Sequence, residues 1–436
     1  MSLWYIAWAY LWNRKITTSL TILSVALAVA LISSVLSLRE EVRRRFEEES
    51  QAFDLVVGPK GSPLQLVLSS VYFMDSATGW TPLEDYEKIK ADTDFVKAAY
   101  PIALGDTYQG FRLVGTTRDF FDFTWLHPVT NEPTQPFVLQ GGEYFDAPME
   151  AVIGSVVARR QNLKVGDTFV SIHGSFDLGD MAEYSHEAHP YTVTGILEPS
   201  DSPFDRAIYV DLHSVWDTHS HEEDHADTEH HEDEHAEDEP AANPLDTGEI
   251  RAADEKISAV LVQLHSIGHR WQYEEWVNTN TNSMAAIPVQ VVQKFFNQFL
   301  EPMKAVLLAV GYLVVVISAL SILIGLYLSI IQRKRDLAIM RALGASAFEI
   351  VGAIIIEAFW VTALGIAGGW VLGQMVTYGL GQYMAREYGM VITPFGITMD
   401  EIRAFATVGI VGIVAGILPA WQAYDRDVAH DLADRN

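Results

Sequence analysis

Apolar positions along the chain fall into four long runs and many short ones, and the two kinds predict different structures. Residues 16–38, 305–331, 350–376 and 404–424 are nearly unbroken apolar stretches; three hold no charge and the third holds only Glu357. At about 1.5 Å rise per residue, runs of this length cover the roughly 30 Å hydrocarbon core, with tilt for the longest. Ahead of the first run stand Trp4, Tyr5, Trp8, Tyr10 and Trp12. Residues 1–15 are therefore read as an interfacial amphipathic helix at the headgroup level, an anchor on the cytoplasmic side. Between the first and second runs the pattern shortens. Strands are predicted at 53–57, 112–114, 168–172, 191–197, 207–210 and 257–264, and helices at 84–97 and 155–163, with Gly/Pro/Asp turns between. Residues 39–303 thus read as a mixed α/β domain, large enough for its own core and expected as two subdomains.

Charge follows the same partition. The chain carries a formal net charge of −28, and residues 39–303 alone hold 18 Lys/Arg against 47 Asp/Glu. Such a field repels phosphates, which excludes nucleic acid as a partner. The short loop after the second run carries Arg333, Lys334, Arg335 and Arg341, which sets that loop in the cytoplasm. With four spans both termini are then cytoplasmic and residues 39–303 periplasmic, in a bacterial inner membrane. Arg39 and Arg43–Arg45 oppose this locally, but Glu40/Arg44 and Glu41/Arg45 have the i,i+4 spacing of a charged helix leaving the membrane. The first run is longer than the roughly 7–15-residue apolar region of a signal peptide, so it reads as a span. The absence of Cys excludes disulfides, thiolate metal sites and cysteine nucleophiles.

The loop Gln332-Arg333-Lys334-Arg335-Asp336-Leu337-Ala338-Ile339-Met340-Arg341-Ala342-Leu343-Gly344-Ala345-Ser346 reads as a short basic amphipathic helix at the membrane face, followed by Glu357-Ala358 inside the third span. Val152-Ile153-Gly154-Ser155, Ala158 and Leu163-Lys164-Val165-Gly166-Asp167-Thr168 form a second motif in the domain, and Gly416-Ile417-Leu418-Pro419-Ala420 closes the fourth span. These segments, with the one-then-three arrangement of spans, resemble the FtsX/MacB/LolC class of ABC-transporter permeases. In that class the pattern R-x-R-E-I-A-x-x-R-A-L-G-A-S docks on a separate ATPase. Asp336 replaces the usual Glu, and residues 425–436 depart from the class's P-x-x-A-L-R tail. The resemblance implies a coupling loop at 332–347 with Arg333, Arg335, Asp336, Leu337, Met340, Arg341 and Gly344 in contact with the ATPase. It also implies an FtsX-like domain over 304–436, a second permease chain (homodimer or heterodimer) and a periplasmic or lipoprotein partner. ATP would act only through the partner ATPase, since no Gly-x-x-x-x-Gly-Lys-Ser/Thr pattern occurs and the chain itself is read as non-catalytic.

Three further features invite chemistry. Gly365, Gly369 and Gly373 in the third span, and Gly412 and Gly416 in the fourth, have the small-xxx-small spacing of close helix approach, within the chain or across a dimer. Glu357 is read as an anchor paired with a basic residue such as Arg335 or Arg341, rather than an ion or proton site. Residues 217–239 hold 12 acidic groups, no basic one, and His219, His221, His225, His230, His231 and His235. This composition builds no core, so 217–250 is expected as a disordered surface loop, and imidazoles among carboxylates suit Zn²⁺. His186 and His189, beside Glu183 and Glu187, form a weaker second cluster. The apolar stretch 53–68 is read as a core strand and helix before an acyl-chain groove.

The expected fold is four transmembrane helices, one then three, around a large extracytoplasmic mixed α/β domain. The expected function is a permease that transmits the motion of a separate ATPase to that domain, for extraction or export of a lipoprotein, lipid or hydrophobic substrate, with a zinc-linked variant. The alternatives are a transducer that activates a periplasmic hydrolase and a zinc-handling membrane receptor.

Overall fold

The computed structural model describes residues 3–74, 76–126, 132–173, 190–217, 256–388 and 396–424. The helices are α1 Leu3–Asn13, α2 Lys15–Glu49, α3 Pro63–Ser70, α4 Leu83–Ala91, α5 Ser155–Gln161, α6 Arg270–Asn280, α7 Pro288–Phe295, α8 Glu301–Gln332, α9 Lys334–Ala342, α10 Ala347–Tyr388 and α11 Met399–Tyr424. The strands are β1 Leu55–Gly58, β2 Thr81–Pro82, β3 Val96–Tyr108, β4 Phe111–Thr116, β5 Trp125–Leu126, β6 Pro133–Thr134, β7 Leu139–Gly142, β8 Glu150–Ile153, β9 Thr168–Phe169, β10 Ile172–His173, β11 Tyr191–Leu197, β12 Ala207–Asp211, β13 Lys256–Ile257, β14 Ala259–Leu264 and β15 Met284–Ala286. Two compact units result. One is built from the described residues of Met1–Arg44, Phe296–Tyr383 and Ile392–Asn436, the other from those of Arg45–Phe295 and Met384–Val391.

The first unit is helical and holds the greater part of each of four helical segments that are long and apolar enough to cross a membrane: Lys15–Glu49, Pro288–Gln332, Ala347–Ala385 and Met399–Trp421. The first three contain the predicted spans whole, and the fourth covers the predicted span up to Trp421. The buried seam is narrow. Val25, Ala28, Val29 and Ile32 of α2 meet Val315, Ile322 and Leu326 of α8, Ala358 and Val361 of α10, and Val408 of α11. Elsewhere α8 exposes Val306, Leu313, Ile317, Leu320 and Ile324, as a helix facing lipid must.

Glycines set how closely these helices approach. A Cβ on Gly365 would stand 2.6 Å from Val25 Cβ, one on Gly369 2.6 Å from the Ala26 carbonyl oxygen, and one on Gly373 2.9 Å from Ser33 Cβ. Gly412 closes on Thr362, and a Cβ on Gly416 would lie 2.6 Å from Ala358 Cβ. Each of these five glycines is thus met by a neighbouring helix of the same chain.

The second unit is a sheet with helices against it. Eleven strands join in the order β15-β1-β14-β3-β4-β12-β8-β11-β7, with β10 on β3 and β9 on β11. Most pairs are antiparallel; β11 runs parallel to β8 and β12 parallel to β4. The 13-residue β3 pairs with β14 through one half and with β4 through the other, so the region expected as two subdomains shares one sheet. β11 shows the alternation of a strand whose faces differ: Tyr191, Val193, Gly195 and Leu197 are buried and the residues between them partly exposed.

One expectation is corrected here. The helix predicted over 84–97 ends at Ala91, and Val96 already belongs to β3, because Asp92 leaves helical geometry at φ −81°, ψ 73°. The long β3 itself was not anticipated. The stretch 53–68 is core, as read: β1 is buried throughout, and Leu66 and Val67 of α3 are buried behind an N-cap in which Ser62 accepts from the Gln65 amide. Phe53 joins a buried aromatic layer, with ring centroids 4.6 Å from Phe123 and 6.5 Å from Phe120, while Phe137 lies 4.7 Å from Phe120 and 5.1 Å from Phe204.

Candidate coupling helix

α8 stops at Gln332 because Arg333 adopts φ −110°, ψ 16°, and α9 starts at the next residue. α9 ends just as definitely. Gly344 takes φ +100°, the left-handed region an L side chain resists, while the Gly344 amide donates to the Arg341 carbonyl and the Ala345 amide to the Met340 carbonyl. That bond pair satisfies two of the carbonyls orphaned at a helix end. α10 then opens on a reciprocal cap. The Glu349 amide donates to Ser346 Oγ at 3.3 Å, and the Ser346 amide donates to Glu349 Oε2 at 2.7 Å. The Gly-Ala-Ser-x-x-Glu spacing of this loop is therefore the grammar of a tight helix–turn–helix.

Arg333 turns inward. Its Nη2 donates to Glu357 Oε1 at 3.1 Å and its Nη1 to Glu357 Oε2 at 3.3 Å, and Ser329 Oγ donates to the same carboxylate at 3.4 Å. The guanidinium also lies 3.9 Å from the centre of the Tyr10 ring. Glu357 is buried, and its basic partner is Arg333 rather than Arg335 or Arg341, because the helix break brings Arg333 level with α10. Tyr10 Oη reaches Met340 Sδ at 4.0 Å, and Trp4 and Trp8 meet Trp360 edge-on at 6.0 and 5.2 Å. α1 is thus packed on α10 and the base of α9, with Ala7 and Leu11 buried and Trp4, Tyr5, Trp8 and Trp12 exposed.

The predicted contact residues accordingly separate into two sets. Arg335, Asp336 and Gly344 are exposed, whereas Arg333, Leu337, Met340 and Arg341 are partly buried and Leu337 packs on the helical core. The apolar tips that do face outward were missed by sequence: Ile339, Leu343 at 83% exposure and Phe348 at 77%. The 3.6-residue period marks Ile339 and Leu343 as one face, a signal present in the sequence.

A second polar cluster was also missed. Glu401, with no exposed surface, accepts from Ser33 Oγ at 2.6 Å and Ser37 Oγ at 3.1 Å through Oε1, and from the Thr398 amide at 2.9 Å through Oε2. The Glu401 amide donates to Thr398 Oγ1 at 3.2 Å, so Thr398-x-x-Glu401 is a capping box recognisable from spacing. Gln374 Nε2 donates to Ser37 Oγ at 3.2 Å.

His219, His221, His225, His230, His231 and His235, with His186 and His189, lie outside the described residues. Among the described residues no group of three or more His, Asp or Glu is gathered to hold a metal.

Residues 18–264 match the MacB-like periplasmic core domain, more than half of the chain, and residues 308–428 match the FtsX-like permease C-terminal domain. The chain belongs to the MacB/FtsX-like permease family. Relatives include the macrolide export ATP-binding/permease protein MacB of Nitrosomonas europaea, 20% identical over 95% of this chain and 56% of that protein. MacB of Neisseria gonorrhoeae is 21% identical over 94% of this chain and 57% of its own length. An uncharacterized ABC transporter permease of Methanocaldococcus jannaschii is 26% identical over 28% of this chain and 33% of that protein. The permease thus spans a little over half the length of the MacB relatives that it matches along its whole extent. It is an ABC-transporter permease of the MacB/FtsX type, in which α9 connects two membrane helices.

Proposed function

We propose that this permease converts ATP-driven movement of a partner ATPase into movement of the domain between its first and second spans, working on a lipoprotein, lipid or hydrophobic molecule. One observation carries the reading. α9 presents Arg335, Asp336, Ile339 and Leu343 outward while Arg333, Leu337 and Met340 tie it to the helices behind, so a push on the exposed face reaches α8 and α10 through buried contacts. The basic residues of the loop support a cytoplasmic α9, with the acidic domain across the membrane. α2 suits transmission, since its 35 residues are one unbroken helix. That some relatives are named macrolide exporters supports a hydrophobic small molecule among the cargoes. Two permease chains would pair with two ATPase subunits in the working assembly. The zinc-linked variant rests only on the composition of residues 217–239, and titration of that peptide with zinc, showing no affinity tighter than about 100 μM, removes it.

The test is purification from native membranes in mild detergent, with mass spectrometry of accompanying proteins. A stoichiometric ATPase is expected, lost on Arg335→Glu or Leu343→Asp while the permease stays folded. Absence of any ATPase after crosslinking sinks the proposal. A co-purifying cell-wall hydrolase would redirect it to transduction.

A further inference from the structure

α1 gives way to α2 at Arg14, and this corner carries two cations side by side. The Arg14 amide donates to the Leu11 carbonyl at 3.3 Å and the Thr18 amide to the Arg14 carbonyl at 3.0 Å, so the corner is tied to both helices. Lys15 is exposed, with its Nζ 5.2 Å from the centre of the Trp12 ring, and Arg14 is partly buried. Trp12 is exposed as well. From it a stripe of exposed apolar side chains runs along α2 through Ile16, Leu20, Leu23 and Leu27.

The charges of this corner are not balanced within the chain. Among the described residues neither Arg14 nor Lys15 forms an ion pair with a carboxylate. The carboxylate that acts on Arg14 is Glu357, and Arg333 already holds both of its oxygens, at 3.1 and 3.3 Å. Burial, and after it the like charge of Arg333, lower the Arg14 guanidinium from its ordinary value, against a smaller opposite effect of Glu357. The corner is therefore short of negative charge where Trp12 marks the headgroup level.

We propose that this corner binds one anionic phospholipid, its phosphate against the Lys15 ammonium beside Arg14 and an acyl chain along Ile16, Leu20, Leu23 and Leu27. Length supports the chain. Ile16 to Leu27 covers about 16 Å at helical rise, close to the roughly 15 Å that one leaflet contributes to the hydrocarbon core. Charge selects the headgroup. An anionic lipid brings the negative charge that the corner lacks, whereas a zwitterionic one also brings a cation towards Arg14. A free phosphate gains nothing from the apolar stripe. The consequence reaches α9, because Tyr10, on the helix that the lipid pins, packs on Arg333 and reaches Met340. The site involves no ATPase, so loss of the ATPase assignment leaves it intact.

The test is native mass spectrometry of the full chain in a nonionic detergent, with dioleoyl phosphatidylglycerol or dioleoyl phosphatidylcholine added at equal concentration. Phosphatidylglycerol is expected to bind at least about fivefold more tightly, and Lys15→Gln should weaken it by about fivefold, the weight of one interfacial cation. Lys15→Gln combined with Arg14→Gln should abolish the preference between the two lipids. If that pair fails to fold, Ile16→Gln, which interrupts the stripe at an exposed position, should weaken the same adduct. Excess inorganic phosphate should leave the adduct in place. Equal binding of the two lipids, an affinity unchanged in Lys15→Gln, or displacement by inorganic phosphate overturns the site. A lipid-free dimer that Ile16→Gln disperses would place a second copy on the stripe, and overturns it too.

Discussion

The contact between Arg333 and Glu357 decides whether the basic loop is a free docking tip or is braced from behind. Their side chains are only 12% and 7% exposed, and two hydrogen bonds of 3.1 and 3.3 Å join them. At an effective dielectric of about 20, opposite charges this close attract by roughly 5 kcal/mol. Much of that is offset by the desolvation both groups suffer, so the net value of the pair is small, whereas removal of one partner strands the other charge. Arg333→Gln and Glu357→Gln should each destabilise the helical unit by about 3 kcal/mol, and the double variant by far less than their sum, with a coupling of about 2 kcal/mol. Removing the Tyr10 ring should add roughly 0.5–2 kcal/mol, the range for a desolvated cation–π contact. Denaturant titration of the purified protein in mixed micelles, read by circular dichroism, measures all four corners of the cycle. A coupling below about 0.5 kcal/mol would refute the brace and return Arg333 to the exposed face.

Three further perturbations test other parts of the structure. Gly369→Ala puts a methyl 2.6 Å from the Ala26 carbonyl oxygen and should cost about 1–3 kcal/mol as α2 and α10 separate. Gly379→Ala, with nothing within 4 Å, should instead stabilise α10 by up to about 1 kcal/mol in the same assay, and equal effects at the two positions would contradict the packing. Since burial raises the Glu49 carboxyl from its ordinary 4.5 to about 8, its contribution is fully present below pH 4.5 and is lost as pH rises towards 8. Stability of the α/β unit should thus fall by roughly 3–5 kcal/mol over that window through this group, and Glu49→Gln should flatten that part of the profile; an unchanged slope counts against an enclosed carboxyl. Ser346→Ala removes one half of the cap on α10 and should cost about 1 kcal/mol, measurable as faster amide exchange over residues 347–350, and no change there would show that the cap is not formed.

What could be read in the sequence was whatever depends on local periodicity. The four spans, the strand at 191–197 and the helix starting at Ser155 follow from hydrophobic period and turn residues, and each is present. β3 escaped because its burial does not alternate. From Tyr100 to Leu104 every residue is buried, as both faces of the strand are covered, while Lys97, Pro101 and Asp106 interrupt the apolar run. The partner of Glu357 escaped for another reason: it depends on a helix break at Arg333 that costs only one residue, and counting turns along an ideal helix points to later arginines. Tyr10, more than three hundred residues away in the chain, has no local signal at all. Glycine spacing announced close approach but not the partner, because the same motif serves a neighbour in the chain or in a second copy.

The helical unit is fastened by three kinds of contact that differ in what they permit. Glycines let α2 and α10 touch through backbone and small side chains, which sets their separation but, being apolar, resists sliding weakly. Polar clusters fix what glycines leave free. Glu401 with Ser33, Ser37 and Thr398 ties α11 to α2, and Gln374 adds α10 to the same cluster. At the other end, Glu357 with Arg333 and Ser329 ties α10 to the junction of α8 and α9. Between these clusters the described polar bridge from α2 to α8 is the pair Ser24 and Ser318, whose hydroxyls lie 3.1 Å apart. Sliding any of the tied helices by one residue would strand a buried carboxylate, at a cost of several kcal/mol, whereas tilting the set together strands nothing. The contacts therefore favour movement of the bundle as a body, and a force on the exposed side of α9 enters that body where Arg333 and Leu337 join it.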